Sequence, residues 1–247
     1  MVTGASSGIG AALCRALVTA GGSVALVARR REALDAVAAT LPAGRVATFV
    51  CDVRDATAVA ATVTSVRARF GRLDLLVNNA GIGRYRPFLE TGPEDLSAVL
   101  ETNLLGAWHF TQAVLPEMLA ARHGHVVNVA SISSRIGSRN HTAYCASKFA
   151  LAGLSESLEY ELAGTGVGLT LVNPGIIATA FFDHESFAGF PSGARARAIP
   201  PERVADAVVR AIERGASEIT IPRHYALGTF FKTIAPGLFR RLMQHQT

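Results

Sequence analysis

Short apolar runs alternate with helical stretches along this chain, and that alternation narrows the fold more than any other feature of it. The runs are "SVALVA" (23–28), "ATFVCDV" (47–53), "LDLLVNNAG" (73–81), "HVVNVAS" (125–131), "GLTLVNPG" (168–175) and "EITIP" (218–222). They are β-branched or leucine-rich. They lack the alternation of a sheet with one wet face, so they predict strands buried on both faces. Helical patterns occupy 8–20, 30–41, 55–70, 93–121, 143–164 and 201–214. This order predicts an α/β fold, a doubly wound parallel sheet with helices on both faces. The 247 residues, 49% hydrophobic, suffice for one domain spanning 1–247. The longest break in the pattern is the loop 180–200, read as a substrate lid.

Composition excludes several classes. No apolar run reaches the ~18 residues of a membrane span. Residue 3 already opens a glycine-rich motif, so no leader is read. The cysteines Cys14, Cys51 and Cys145 share no CxxC spacing, and reduced thiols in a cytoplasmic protein are expected. The histidines show no metal-ligand spacing, and no metal is expected. Net charge is +5. The arginines are scattered among acids, however, which argues against a nucleic-acid partner.

"TGASSGIG" (3–10) places Gly4, Gly8 and Gly10 where a strand should meet a helix. Glycines there let the backbone approach a pyrophosphate seated on the helix N-terminus, as in Rossmann-type folds. Ordinary tight turns use glycines as well. Only Met1 and Val2 precede the motif, so the first strand is read as truncated, and the natural polypeptide is expected to begin upstream. "VARRREAL" follows the second strand. A carboxylate at that strand end would bind the 2′-hydroxyl of NAD, and an arginine the 2′-phosphate of NADP. The position holds Ala28, then Arg29 and Arg30, with no acid before Glu32. Further strand ends carry Asp52, "NNAG" (78–81), Ser131 and "NPGIIAT" (173–179). Asn103 falls in mid-helix, where asparagine is a mediocre former.

"YCASK" holds the sharpest signal. Of 24 basic residues only Lys148 and Lys232 are lysines, and Lys148 stands four residues after Tyr144. On a helix the two share a face. A phenol titrates near ~10 and is a poor acid or base at neutrality. An ammonium ~4 Å away, at an effective dielectric of ~20, would lower that by up to ~3 units. The phenol would then suit general acid–base work.

These motifs, in this order over residues 3–180, resemble the short-chain dehydrogenase/reductase family in its compact single-domain branch. The resemblance implies a hydride transfer between a nicotinamide cofactor and a carbonyl or alcohol. Tyr144 would be the acid/base, and Lys148 would lower its pKa and bind the nicotinamide ribose. Ser131 would hold the substrate oxygen, and Asn103 would anchor a water in a proton relay. Gly4, Ser6, Ser7, Gly8, Ile9 and Gly10 would wrap the adenine half of the cofactor. Asp52 and Val53 would meet the adenine. Asn79, Ala80 and Gly81 would border the groove. Pro174, Gly175, Ile177 and Thr179 would complete the cofactor site, the last two at the nicotinamide amide. Arg29 and Arg30 would select NADP(H); NAD(H), or an NADP-binding sensor without turnover, are the alternatives. Phe181, Phe182, Phe187 and Phe190 in the lid point to a bulky, apolar small-molecule substrate. A homo-oligomer formed through the helices 93–121 and 143–164 is expected. The segment 224–247 mixes phenylalanines with basic residues. It reads as packing on the domain or a neighbouring subunit, with peripheral membrane contact as the other reading.

Overall fold

The computed structural model describes residues 1–187 and 189–244. Its centre is one sheet of seven parallel strands: β1 (Val2–Thr3), β2 (Val24–Ala28), β3 (Val46–Val50), β4 (Leu75–Asn78), β5 (Gly124–Val129), β6 (Val167–Pro174) and β7 (Glu218–Ile221). Their spatial order is β3-β2-β1-β4-β5-β6-β7. The direction of strand order therefore reverses at β1 and β4, where such sheets open a ligand crevice at their carboxyl ends.

Helices α1 (Gly8–Thr19), α2 (Arg31–Ala38) and α8 (Pro201–Arg214) cover one face. There Leu13, Cys14, Val18, Leu34, Val204 and Val208 pack on Val24, Leu26, Val77, Val127 and Val172. The other face takes α3 (Ala56–Phe70), α4 (Pro93–Leu100), α5 (Gly106–Ala121) and α6 (Thr142–Leu162). Val59, Val63, Phe110, Val114, Met118 and Leu162 meet Ala25, Val27, Leu76, Val126 and Leu169 there. Because both faces are covered, no strand needs a polar side, which is why the runs lacked alternation. A short α7 (Ser192–Arg195) lies in the lid, and α9 (Tyr225–Ile234) and α10 (Pro236–Gln244) end the described chain.

Three sequence expectations change. The truncated first strand still bridges its neighbours. Val2 pairs with Leu26 and Val77, and Thr3 with Val27. The Met1 amino group donates to Leu75 O at 2.7 Å, Val77 N–H to Met1 O at 2.9 Å, and Ala5 N–H to Val27 O at 3.2 Å. Four residues, Met1, Val2, Thr3 and Ala5, thus hold the middle of the sheet together. The helix read over 93–121 is interrupted by a π-helical turn at Glu101–Leu105. One extra residue per turn re-aims a side chain, and such turns gather at functional sites. The lid is not an open loop: it holds two 3₁₀ turns, Ala180–Asp183 and Glu185–Phe187, besides α7, and Ile177 bridges to Ile199.

The three cysteines are unpaired and buried, and burial pushes the Cys14 thiol up to about 12.

Candidate active site

The glycine-rich turn closes at the carboxyl end of β1. Gly4 and Gly8 have φ of +64° and +54°, a region L side chains rarely enter. Space is short as well. A Cβ on Gly4 would lie 2.9 Å from Ala80 Cα, and one on Gly10 would collide with Gly4 O. α1 starts at Ser7 with no side-chain cap and no acid in its first turn, so its free amides and positive dipole end suit a phosphate. Thr3 braces this turn. Its Oγ accepts from Asn79 N–H at 2.9 Å and Ala80 N–H at 3.0 Å, while Asn79 Nδ2 donates to Thr3 O at 3.0 Å. Ser6, Ser7 and Ile9 lie on the same turn, and Thr179 reaches it from β6's side: its Cγ2 is 3.0 Å from where a Gly8 Cβ would stand.

β2 and β3 end side by side. Arg29 and Arg30 are exposed there, Arg29 near enough to Asp52 to help lower its pKa. The larger cause is Arg54, which binds the Asp52 carboxylate at 2.7 Å. Arg31 instead turns to Thr48 Oγ1, which donates to Asp35. Val53 lies against Gly106, and its carbonyl contacts His109.

At the ends of β4 to β6 four predicted residues converge. Asn103, carried by the π-helical turn, is 1% exposed. Its Oδ1 accepts from Ile82 N–H at 2.8 Å, and its Nδ2 donates to Ile82 O and Ser147 Oγ, both at 2.9 Å. Ser147 Oγ in turn donates to Tyr144 O at 2.8 Å. Asn103 therefore clasps the loop after β4 to the helix that carries Tyr144. A Cβ on Gly81 would lie 3.2 Å from Asn103 Oδ1 and 3.6 Å from Lys148 Nζ, so only glycine leaves that corner open. Lys148 is buried and donates to Val129 O at 2.9 Å. Ser131 caps the 3₁₀ turn after β5, accepting from Ser133 N–H at 3.1 Å.

Burial pushes the Tyr144 hydroxyl up to about 12, while its hydrogen bond with Ser131 pulls downward. Burial also pushes Lys148 down to about 8. The one-turn spacing does place Lys148 Nζ 5.7 Å from the Tyr144 ring centre. The expected lowering of the phenol by Lys148 is nevertheless not seen. Desolvation disfavours both charged forms, and the ammonium points to the Val129 carbonyl.

Beyond Tyr144 the site is lined with rings. Phe181 lies 6.0 Å from Tyr144 and 5.0 Å from Phe187, and Phe182 lies 4.8 Å from Phe190. His141 and Tyr85 complete the cluster, His141 at 5.2 Å from Tyr144 and 5.0 Å from Tyr85. Ser186 ties the lid down, its Oγ donating to Gly83 O at 3.1 Å and its carbonyl accepting from Tyr85 N–H at 2.9 Å. His141 Nε2 is buried without a partner among the described residues, and burial holds its pKa at about 4.

Not every predicted residue points into this cleft. Ile177 is buried in the core beside Val172, and its strand-like backbone meets Ile199. Pro174 and Gly175 close β6: Pro174 O lies 3.5 Å from Ser131 Oγ, and Gly175 N–H donates to Ile221 O while Tyr225 packs on its Cα. Sequence reasoning missed Thr3, His141, Tyr85 and Ser147. Thr3 stood inside the quoted motif and His141 three residues before Tyr144. Tyr85 had no sequence signal.

A family model described as short chain dehydrogenase matches residues 1–187. The chain belongs to the short-chain dehydrogenase/reductase family. Its relatives include D-threitol dehydrogenase of Mycolicibacterium smegmatis, 41% identical over 83% of this chain and 79% of that one. A solved short-chain dehydrogenase from Streptomyces avermitilis is 32% identical with a TM-score of 0.83, covering 98% of this chain and 94% of that one. A family member from Burkholderia phymatum, solved in complex with NAD, is 26% identical with a TM-score of 0.88, covering 96% and 93%. The chain is thus an NAD(P)-dependent oxidoreductase of this family, acting on small molecules.

Proposed function

We propose that this short-chain dehydrogenase interconverts a bulky, apolar carbonyl compound and its alcohol with NADP(H), Tyr144 being the acid/base. The observation that carries the reading is the meeting of Tyr144, Lys148, Ser131 and Asn103, drawn from three segments, under an aromatic lid at the carboxyl end of the sheet. A bound nicotinamide supplies or takes up the hydride. Ser131 holds the substrate oxygen. Tyr144, protonated at neutral pH, donates to that oxygen in reduction and recovers the proton in oxidation. Lys148 places a positive charge beside the phenol and a donor toward the cofactor ribose. Asn103 is a positioning residue, since both ends of its amide are engaged by protein groups.

Arg29 supports NADP(H). It is exposed at the end of β2, follows Ala28 where a carboxylate would favour NAD, and has no hydrogen-bond partner among the described residues. The Burkholderia phymatum relative holds NAD, so NAD(H) is the second reading. The relative named for D-threitol suggests a polyol, but the aromatic cluster beside Tyr144 favours an apolar substrate. Exposed Leu105, Trp108, Phe149 and Tyr160 on α5, α6 and the π-helical turn support a homo-oligomer; the cytoplasm is the proposed location.

NADPH and NADH oxidation against a panel of lipophilic ketones and aldehydes tests the reading. Turnover with NADPH is expected. Tight NADPH binding with no turnover across the panel would favour a sensor instead.

A further inference from the structure

The two terminal helices carry an apolar face that the domain leaves uncovered. On α9, Leu227, Phe230 and Ile234 follow an i, i+3, i+7 spacing and share one side; on α10, Leu238 and Leu242 are an i, i+4 pair. All five are more than half exposed, at 68%, 65%, 66%, 53% and 52%. The opposite sides of the helices are used inward. Phe231 and Phe239 pack ring to ring at 6.1 Å, Tyr225 lies on Gly175, and Lys232 donates to Arg135 O and sits 5.2 Å over Phe149. Packing on the domain therefore accounts for one side only.

Charge says what covers the other. No Asp or Glu follows Glu218, while Arg223, Arg240 and Arg241 are exposed in the same segment. A two-fold contact would set this patch against its own copy, opposing arginines with no acid to pair them. An anionic lipid surface satisfies both features, taking aliphatic and aromatic side chains between its headgroups and arginines on its phosphates. Among the described residues no helix is long and apolar enough to span a bilayer, so the contact lies along the surface. We infer that α9 and α10 dock this protein on membranes rich in anionic phospholipid. The hairpin also touches the 135–139 stretch leading to His141 and Tyr144, through Lys232 on Arg135 O and Arg139 on Gln244 O. Docking would thus bring the lipid beside the aromatic lid. The inference does not depend on catalysis.

The test is co-sedimentation of the full chain with vesicles of phosphatidylcholine alone and of phosphatidylcholine mixed with phosphatidylglycerol. The protein should pellet with the mixed vesicles only, and less as salt rises. Leu227→Ser/Phe230→Ser/Ile234→Ser should stay in the supernatant while keeping the wild-type thermal melt, because the three side chains are exposed. Arg223→Gln/Arg240→Gln/Arg241→Gln should bind roughly a hundredfold more weakly, about fivefold per cation. Wild-type protein that stays in the supernatant with mixed vesicles overturns the inference, as does binding unchanged in the serine variant. Light scattering that shows an oligomer which the serine variant splits overturns it in favour of a second copy of this chain.

Discussion

At the glycine-rich end of the cleft, short polar side chains and bare backbone are tied by directed bonds: Thr3 to Asn79 and Ala80, and Asn79 back to Thr3. At the lid end, rings from Tyr85, His141, Phe181, Phe182, Phe187 and Phe190 stack with almost no polar contact, and one buried nitrogen has no partner among the described residues. Tyr144 sits on the seam. The first end suits a ligand with a constant polar shape, because each donor and acceptor position is set by backbone. The second suits apolar ligands that differ in shape, because ring packing is broad in geometry and weak in direction.

The largest expected effect is at the seam. Tyr144→Phe keeps the ring and its lid contacts but removes the proton, so turnover should fall a hundredfold or more while NADPH still binds. Near-normal turnover would show that the polar half works without this hydroxyl. Stopped-flow and titration of NADPH fluorescence separate the two outcomes.

Next comes His141, the buried histidine beneath the lid. Its pKa is about 4 in the folded chain against 6.5 in the unfolded chain, because burial among the rings of Tyr85, Tyr144, Phe187 and Phe190 disfavours the charged imidazolium. The unfolded state binds the proton first as pH falls, so this stability is present above about 6.5 and is lost toward 4. Between pH 7 and 5 the loss should be about 2 kcal/mol by urea unfolding. His141→Phe should flatten that slope. An equal slope in the variant would assign the acid sensitivity to the polar half.

A smaller effect is expected at the strand end of the cofactor half. The wild type should favour NADPH over NADH in kcat/KM by tenfold or more, and Ala28→Asp/Arg29→Ala should lose or reverse that, from the ~1.5–3 kcal/mol of a charged hydrogen bond. Equal use of both cofactors by the wild type would break the assignment. The smallest effect belongs to Arg54→Ala. Its bond to Asp52 lies at the surface, with side chains 42% and 30% exposed, so melting should show a change below ~1 kcal/mol. A larger loss would mean that the polar half depends on its charges and not on its backbone.

Much of this was legible because the fold repeats one local rule. Runs buried on both faces and helices between them predicted the sheet. Glycines at 4, 8 and 10, the Tyr144–Lys148 spacing and Ser131 at a strand end pointed to the candidate site. Where reading failed, long-range packing decided. Asn78 was placed at a strand end, with no partner named. It is buried in β4, opposite Asn128 of β5, and donates to it at 2.9 Å, while Asn128 donates to Ser155 of α6. A buried amide seeks whichever partner the register brings, and nothing near it in the chain names that partner. Asn103 stood out as a poor helix former, but the π-helical turn that aims it followed from no propensity.

The sequence by itself determined the layer order, the glycine turn and the residue types that can move a proton, since each depends on chemistry within a few residues along the chain. Only the tertiary structure decided that three segments bring Tyr144, Ser131 and Asn103 together, that burial raises the Tyr144 phenol against the pull of Ser131, and that α9 and α10 turn one apolar face outward. Those outcomes depend on desolvation and on contacts between residues far apart in sequence, and both arise only once the chain has closed on itself.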